Sequence, residues 1–225
     1  MKWDSEFFNL KIGSAVVNSF DDLIEIKSLA QNEYYQLIYV YSGNPIYETD
    51  NFYILRKITY HKESLKEIKI DTHKNLIIES LYETKNWNEK LKKLTILCGR
   101  HSRFNKDVIL QSKFEELYMM WIDKSIKRIL ADEVIGVFFK KELVGFVTLQ
   151  KFDRIGKIGL FAIDENHQGE GIGGLLMKMS QKWFLENNIK AAEVVTQKSN
   201  MGACKLYENY GYLISKEEYV YHLWL

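Results

Sequence analysis

Proline occurs once in 225 residues, at Pro45, and cysteine only twice, at Cys98 and Cys204. So little proline, beside 14% aromatic residues, argues for a compact fold without disordered linkers. The two cysteines are far apart and show no C-x-x-C or Cys/His spacing, which suggests neither a disulfide framework nor a zinc site. Both read as packed thiols in a reducing compartment. An excess of one charge is also missing: 31 basic side chains face 30 acidic ones, which leaves little to hold a polyanion, so no nucleic-acid partner is expected. No apolar run is long enough to span a bilayer, and Met1-Lys2-Trp3-Asp4-Ser5-Glu6 mixes both charge signs; the expectation is a soluble, cytoplasmic protein with no membrane partner. His61, His73, His101, His167 and His222 stand singly, without metal-ligand spacing, and read as surface or structural, so no metal is expected.

The length fits one large domain or two modest ones sharing an interface. In the first part, 11–17 and 35–41 read as strands and 21–30 as a helix with Leu23, Ile24, Ile26 and Leu29 inward. A turn at Gly43-Asn44-Pro45 leads to further strands at 52–60 and 76–82. The polar stretch 83–90 carries no Gly, Pro or Ser enrichment, so an N-terminal α/β part at 1–88 is expected to pack tightly against a second part at 89–225. There, Ser112-x-x-Glu115 reads as a capping box opening a helix with Phe114, Leu117, Tyr118, Trp121, Ile122 and Ile129 on one face, ending near Leu130. A hairpin of 134–139 and 143–149 and a third strand at 155–163 follow. After a glycine cluster come a helix carrying Leu175, Leu176, Met179, Trp183 and Phe184, a buried strand at 191–195 and a helix at 200–210. Two last strands are expected at 212–215 and 219–225. Mainly antiparallel strands with one β-loop-α-β crossover make a mixed α/β sheet.

The glycine cluster is Gln168-Gly169-Glu170-Gly171-Ile172-Gly173-Gly174. Amides at a helix start lack partners and the helix dipole adds positive potential, so a loop without Cβ atoms can close on phosphate oxygens. The alternative is a tight turn that merely admits close helix-to-strand packing. No Lys-Ser or Lys-Thr follows, which removes the P-loop. Gly169, Gly171 and Gly174 satisfy G-x-G-x-x-G formally, with Glu193 where a ribose ligand would lie. Too few residues remain for the rest of a dinucleotide half, and Asp164-Glu165-Asn166-His167 separates strand from glycine where that turn is immediate.

Gln168-x-x-Gly171-x-Gly173 resembles the Q/R-x-x-G-x-G/A loop of the GNAT superfamily of N-acetyltransferases. Asn200-x-x-Ala203-x-x-Leu206-Tyr207-Glu208-x-x-Gly211-Tyr212 is similar to that superfamily's next motif. The resemblance implies a GNAT fold with acetyl-CoA as co-substrate and direct attack of an amine on the thioester. It assigns the pyrophosphate to Gln168, Gly169, Gly171, Ile172, Gly173 and Gly174, and oxyanion and pantetheine contacts to the backbone at Phe161, Ala162 and Ile163. Asn200 would meet the pantetheine arm, although it reads equally as a helix N-cap. Tyr207 would be the general acid, although without the motif it reads as a core tyrosine. Cys204, with no base near it in sequence, reads as packing.

Trp3-Asp4-Ser5-Glu6-Phe7-Phe8, Ser102-Arg103-Phe104, Leu117-Tyr118-x-x-Trp121-Ile122, Arg154-Ile155-Gly156 and Val195-Thr196-Gln197-x-x-Asn200 further resemble the dTDP-fucosamine acetyltransferase branch. That branch implies a small-molecule amine acceptor on a nucleotide-linked amino-dideoxy sugar, with a homodimer plausible. Arg103 would pair with the diphosphate, Phe104 or Trp121 would stack on a base or sugar, and Gln197 would line the acceptor site; Arg103 also reads as a surface cation, and Phe104 and Trp121 as core aromatics. Glu79, Asp123 or a water chain could serve as general base, and spacing selects none of them.

Overall fold

The chain opens with α1 (Lys2–Phe8), β1 (Ile12–Val16), α2 (Phe20–Asn32), β2 (Leu37–Ser42), β3 (Tyr53–Lys62) and β4 (Leu76–Ser80). After these come α3 (Glu89–Cys98), the short α4 (Arg103–Lys106), α5 (Phe114–Ile126), β5 (Glu133–Phe139), β6 (Glu142–Phe152) and β7 (Ile155–Ile163). The chain closes with α6 (Ile172–Glu186), β8 (Ala191–Gln197), α7 (Met201–Asn209) and β9 (Leu213–Trp224). This computed structural model describes residues 1–47, 52–70, 75–82 and 89–225. Among them, nine strands form one sheet in the order β1-β2-β9-β3-β8-β7-β6-β5-β4, antiparallel except at β1–β2 and β7–β8. The mixed, mainly antiparallel α/β architecture is the one expected.

Period-two alternation sends Ile38 and Val40 of β2 to one face and Leu37 and Tyr39 to the other, and each set meets its own helices. On the first face α2, α6 and α7 cover Val40, Tyr221, Ile58 and Val194. On the second, α1, α3, α4 and α5 cover Tyr39, Phe146 and Ala162. Strands from residues 1–88 are spread through the sheet: β3 runs between β9 and β8, while β4 pairs with β5 at the far edge. The domain boundary expected within 83–90 falls, for 83–88, outside the described residues.

Four local expectations change. In α2, Ser19 and Asp22 form a capping box that starts the helix at Phe20. The inward set is therefore Leu23, Ile26 and Ala30, while Ile24 is 49% and Leu29 53% exposed. Ser112 caps nothing: Asp107 takes the Ile109 and Leu110 amides, at 2.9 and 3.0 Å, and starts a 3-10 turn that absorbs Ser112. α5 consequently begins at Phe114 without a side-chain cap and ends at Ile126, and a left-handed Arg128 turns the chain so that Ile129 lies outside. The last two strands are one, β9, because Lys216-Glu217-Glu218 contains no turn former and is pinned to β3 by ion pairs from Arg56 to Glu217 and Lys57 to Glu218. α3, unforeseen in the sequence, buries Leu91, Leu94 and Thr95 at i, i+3, i+4 beneath a run of charges.

Candidate active site

β7 and β8 run in parallel register only from Ile155–Ala191 to Ile158–Val194, and beyond that they part. A bulge causes the parting. Thr148 of β6 faces both Gly159 and Leu160, its Oγ1 accepting from the Leu160 amide at 2.8 Å, and a Cβ on Gly159 would strike that hydroxyl. The bulge also reverses which residues point where: Ile158 faces α6, and after it Phe161 and Ile163 do, while Leu160 and Ala162 face α3 and α5. Backbone amides alternate likewise. Asp164 donates to Val144 of β6, so the Ala162 amide points to β6 and those of Phe161 and Ile163 point into the gap.

β7 leads directly into the glycine loop. Asp164 caps a short 3-10 turn through the Asn166 amide at 3.0 Å, and its other oxygen takes Lys90 Nζ at 2.8 Å, which holds its carboxyl below the ordinary range. Arg100, two residues past α3, ties Glu165 at 2.7 Å, so α3 through Lys90 and the turn after it through Arg100 clamp the loop from outside. Gln168 is extended and exposed; Gly169 and Gly171 both adopt φ +83°, a region open chiefly to glycine. Gly171 is the N-cap of α6 and no side chain caps the amides after it. Gly173 packs against Ile163 and Leu206, and a Cβ on Gly174 would collide with the Tyr210 hydroxyl. The loop therefore brings the helix close to the strand and leaves the first turn of α6 without a side-chain cap.

α7 supplies the opposite wall. Asn200 is its N-cap, accepting from the Ala203 amide at 3.3 Å. Tyr207 is 3% exposed, with ring centroids of Tyr60 at 5.8 Å and Phe161 at 6.3 Å. Its hydroxyl has no hydrogen-bond partner among the described residues, and burial pushes the phenol well above its usual range. Tyr60 differs: its hydroxyl donates to Glu208 at 2.7 Å. Cys204 is buried and donates weakly to the Gln197 carbonyl. Cys98, read as packing in the sequence, instead accepts from the Phe161 amide at 3.3 Å, a contact that no spacing could have revealed.

The residues expected on the acceptor side lie on the α3/α5 face. Arg103 is turned inward: it donates to the Tyr41 hydroxyl at 2.5 Å, approaches Asp4 at 3.5 Å, and stacks over Tyr39 at 4.0 Å. Phe104 is buried, and Trp121 packs against Phe104, Tyr118 and Trp3. Gln197 stands in register with Lys57, and Lys57 with Glu218, so the three form a row across β8, β3 and β9. Burial raises the Glu218 carboxyl, but Lys216 at 2.7 Å and Lys57 at 2.9 Å outweigh it and keep it below the usual range. Glu79 lies exposed on the edge strand β4, and Asp123 pairs with Lys127 at 2.7 Å. A hollow of about 1070 Å³ runs between α3, the start of α5 and the 164–166 turn, and Phe161, Gly171 and Tyr207 are not among its walls. Among the described residues no cluster could hold a metal, and no helix is long and apolar enough to cross a membrane.

A mainly antiparallel sheet splits here beside a glycine-started helix, an arrangement shared with solved GNAT-family structures. Residues 102–212, just under half of the chain, match the Acetyltransferase (GNAT) family. The matched stretch runs from the start of α4 to the start of β9 and contains the glycine loop, and acetyl-CoA is that family's co-substrate. Streptothricin acetyltransferase of Escherichia coli is 29% identical over 80 residues, 35% of this chain and 46% of that protein. N-alpha-acetyltransferase 30 of Xenopus laevis is 32% identical over 74 residues, 33% of this chain and 27% of that protein. The chain thus spans less than half the length of either relative. A GNAT-family acetyltransferase from Colwellia psychrerythraea shares the fold, with TM-score 0.55 and 13% identity over 92% of this chain and 73% of that one.

Proposed function

We propose that this chain moves the acetyl group of acetyl-CoA directly onto a primary amine. One observation carries the reading: the uncapped start of α6, the parted ends of β7 and β8, and a Tyr207 hydroxyl without a partner among the described residues come together around Phe161 and Ile163. The amides from Gln168 to Gly174 hold the pyrophosphate, where the dipole of α6 favours negative charge. Asn200 borders the pantetheine arm. The Phe161 and Ile163 amides point at the thioester oxygen and stabilise the oxyanion as the amine attacks. Tyr207, kept protonated by burial, hands its proton to the departing sulfur.

Residues 1–88 contribute the acceptor side through β3, with 89–225 holding the co-substrate. Several classes of acceptor amine are put forward. The amine of a dTDP-linked amino-dideoxy sugar rests on the resemblance of the segments at Trp3, Arg103 and Gln197. An amine of the kind acetylated by streptothricin acetyltransferase rests on the 80-residue likeness, and it fits an Arg103 already engaged by Asp4 and Tyr41. Polyamines, aminoglycosides and protein N-termini complete the set, and a homodimer in the cytoplasm belongs to the same reading. The test follows thiol release from acetyl-CoA over these amines, with coenzyme A binding measured by calorimetry. Turnover of one amine supports the proposal. Binding without turnover on any amine makes the chain an acyl-CoA-binding module, and no binding at all ends the proposal.

A further inference from the structure

The Phe161 amide points into the gap between β7 and β8, and its acceptor is the Sγ of Cys98 at 3.3 Å. Cys98 is the last residue of α3, so the sulfur arrives from the face opposite α7. The neighbouring glycine fixes its place: a Cβ on Gly99 would strike the rings of Phe114 and Tyr118, so the end of α3 lies hard against them. Tyr207 stands beside that amide, its ring centroid 6.3 Å from that of Phe161. It is 3% exposed, its hydroxyl has no partner among the described residues, and after its own burial the group that most affects its titration is Cys98. One amide, one thiol and one phenol therefore meet at the same opening.

We infer that Cys98 is a positioning and specificity-determining residue of acetyl transfer: its thiol holds the Phe161 amide in the empty enzyme, yields it to the acyl oxygen, and then bounds the space left for the acyl chain. The inference rests on the acetyl-CoA reading above. An N–H···S contact is weak, so a carbonyl oxygen that gains charge in the transition state displaces it readily. Burial pushes the thiol up to about 11, so the sulfur stays neutral and does not compete with the amine as a nucleophile. With the thiol beside the carbonyl, chain carbons beyond the acetyl methyl meet sulfur.

The test compares Cys98→Ala, Cys98→Ser and, as a control on the other thiol, Cys204→Ala. Calorimetry gives dissociation constants for coenzyme A and acetyl-CoA, and initial rates give kcat/KM for acetyl-, propionyl- and butyryl-CoA. In Cys98→Ala the amide is orphaned and only the acyl form can satisfy it, so the ratio of coenzyme A to acetyl-CoA dissociation constants rises about 3- to 10-fold. The preference for acetyl over propionyl falls by about tenfold in the same variant. Cys98→Ser, which keeps an acceptor, lies between, and Cys204→Ala changes neither ratio. Unchanged ratios in a folded Cys98→Ala overturn the inference, as does an equal loss of affinity for coenzyme A and acetyl-CoA, which marks a purely structural side chain. If the wild-type chain binds no coenzyme A, the acetyl-CoA reading fails first and takes this inference with it.

Discussion

Tyr207 is a buried tyrosine whose hydroxyl has no partner among the described residues, as is also true of the hydroxyls of Tyr39 and Tyr212. A packing tyrosine would be tolerant of losing its oxygen, whereas a proton donor would not. Tyr207→Phe is expected to lower kcat by about 100-fold or more, with coenzyme A affinity changed less than about twofold. Steady-state rates beside calorimetry measure both, and a loss confined to affinity would return the residue to the core. Gly171 presents a backbone requirement at φ +83°. Gly171→Ala strains that turn by about 1–2 kcal/mol, and coenzyme A affinity is expected to fall about tenfold. Gly202→Ala in α7, where a Cβ meets nothing within 4 Å, serves as the silent comparison.

α2 shows how a local signal decides an element. Ser19→Ala removes the acceptor for the Asp22 amide at 3.1 Å, and should cost about 1 kcal/mol, a drop of about 2–4 °C in melting temperature, with no change in kcat. The same kind of signal misled at Ser112, because Asp107 had already captured the preceding amides from outside the pattern. The hairpin β5–β6 was legible since Lys140 and Lys141, both left-handed, close it between two apolar runs. The order of β7, glycine loop and α6 was legible because composition and periodicity change together there. α3 was not, since its three buried positions are scattered among lysines, and with it went any view of Cys98. The bulge at Thr148 was hidden too, for it depends on one hydroxyl meeting one amide across two strands.

Over the whole molecule, acid tolerance should be set by one buried cluster. His222 Nδ1 meets Asp107 at 2.5 Å, Trp224 donates to the same oxygen at 3.0 Å, and Arg103 and Asp4 act on the imidazole from α4 and α1. Burial holds His222 below its ordinary 6.5, against the pull of Asp107. Burial also raises the Asp107 carboxyl, but His222 and the Leu110 amide outweigh it and hold the group below 3.8. Both groups bind protons less readily folded than unfolded, so stability is full above pH 6.5 and declines as pH falls below it. Urea midpoints should hold steady from pH 8 to 7 and drop between 6 and 5, and His222→Asn should flatten that drop while lowering the plateau. β3, set between β9 and β8, has a different consequence. Both of its neighbours come after it in the chain, with β9 the later of the two. A nascent polypeptide leaving the ribosome carries two unpaired edges of β3 until synthesis reaches these strands, which marks that stretch as the one a chaperone would have to shield.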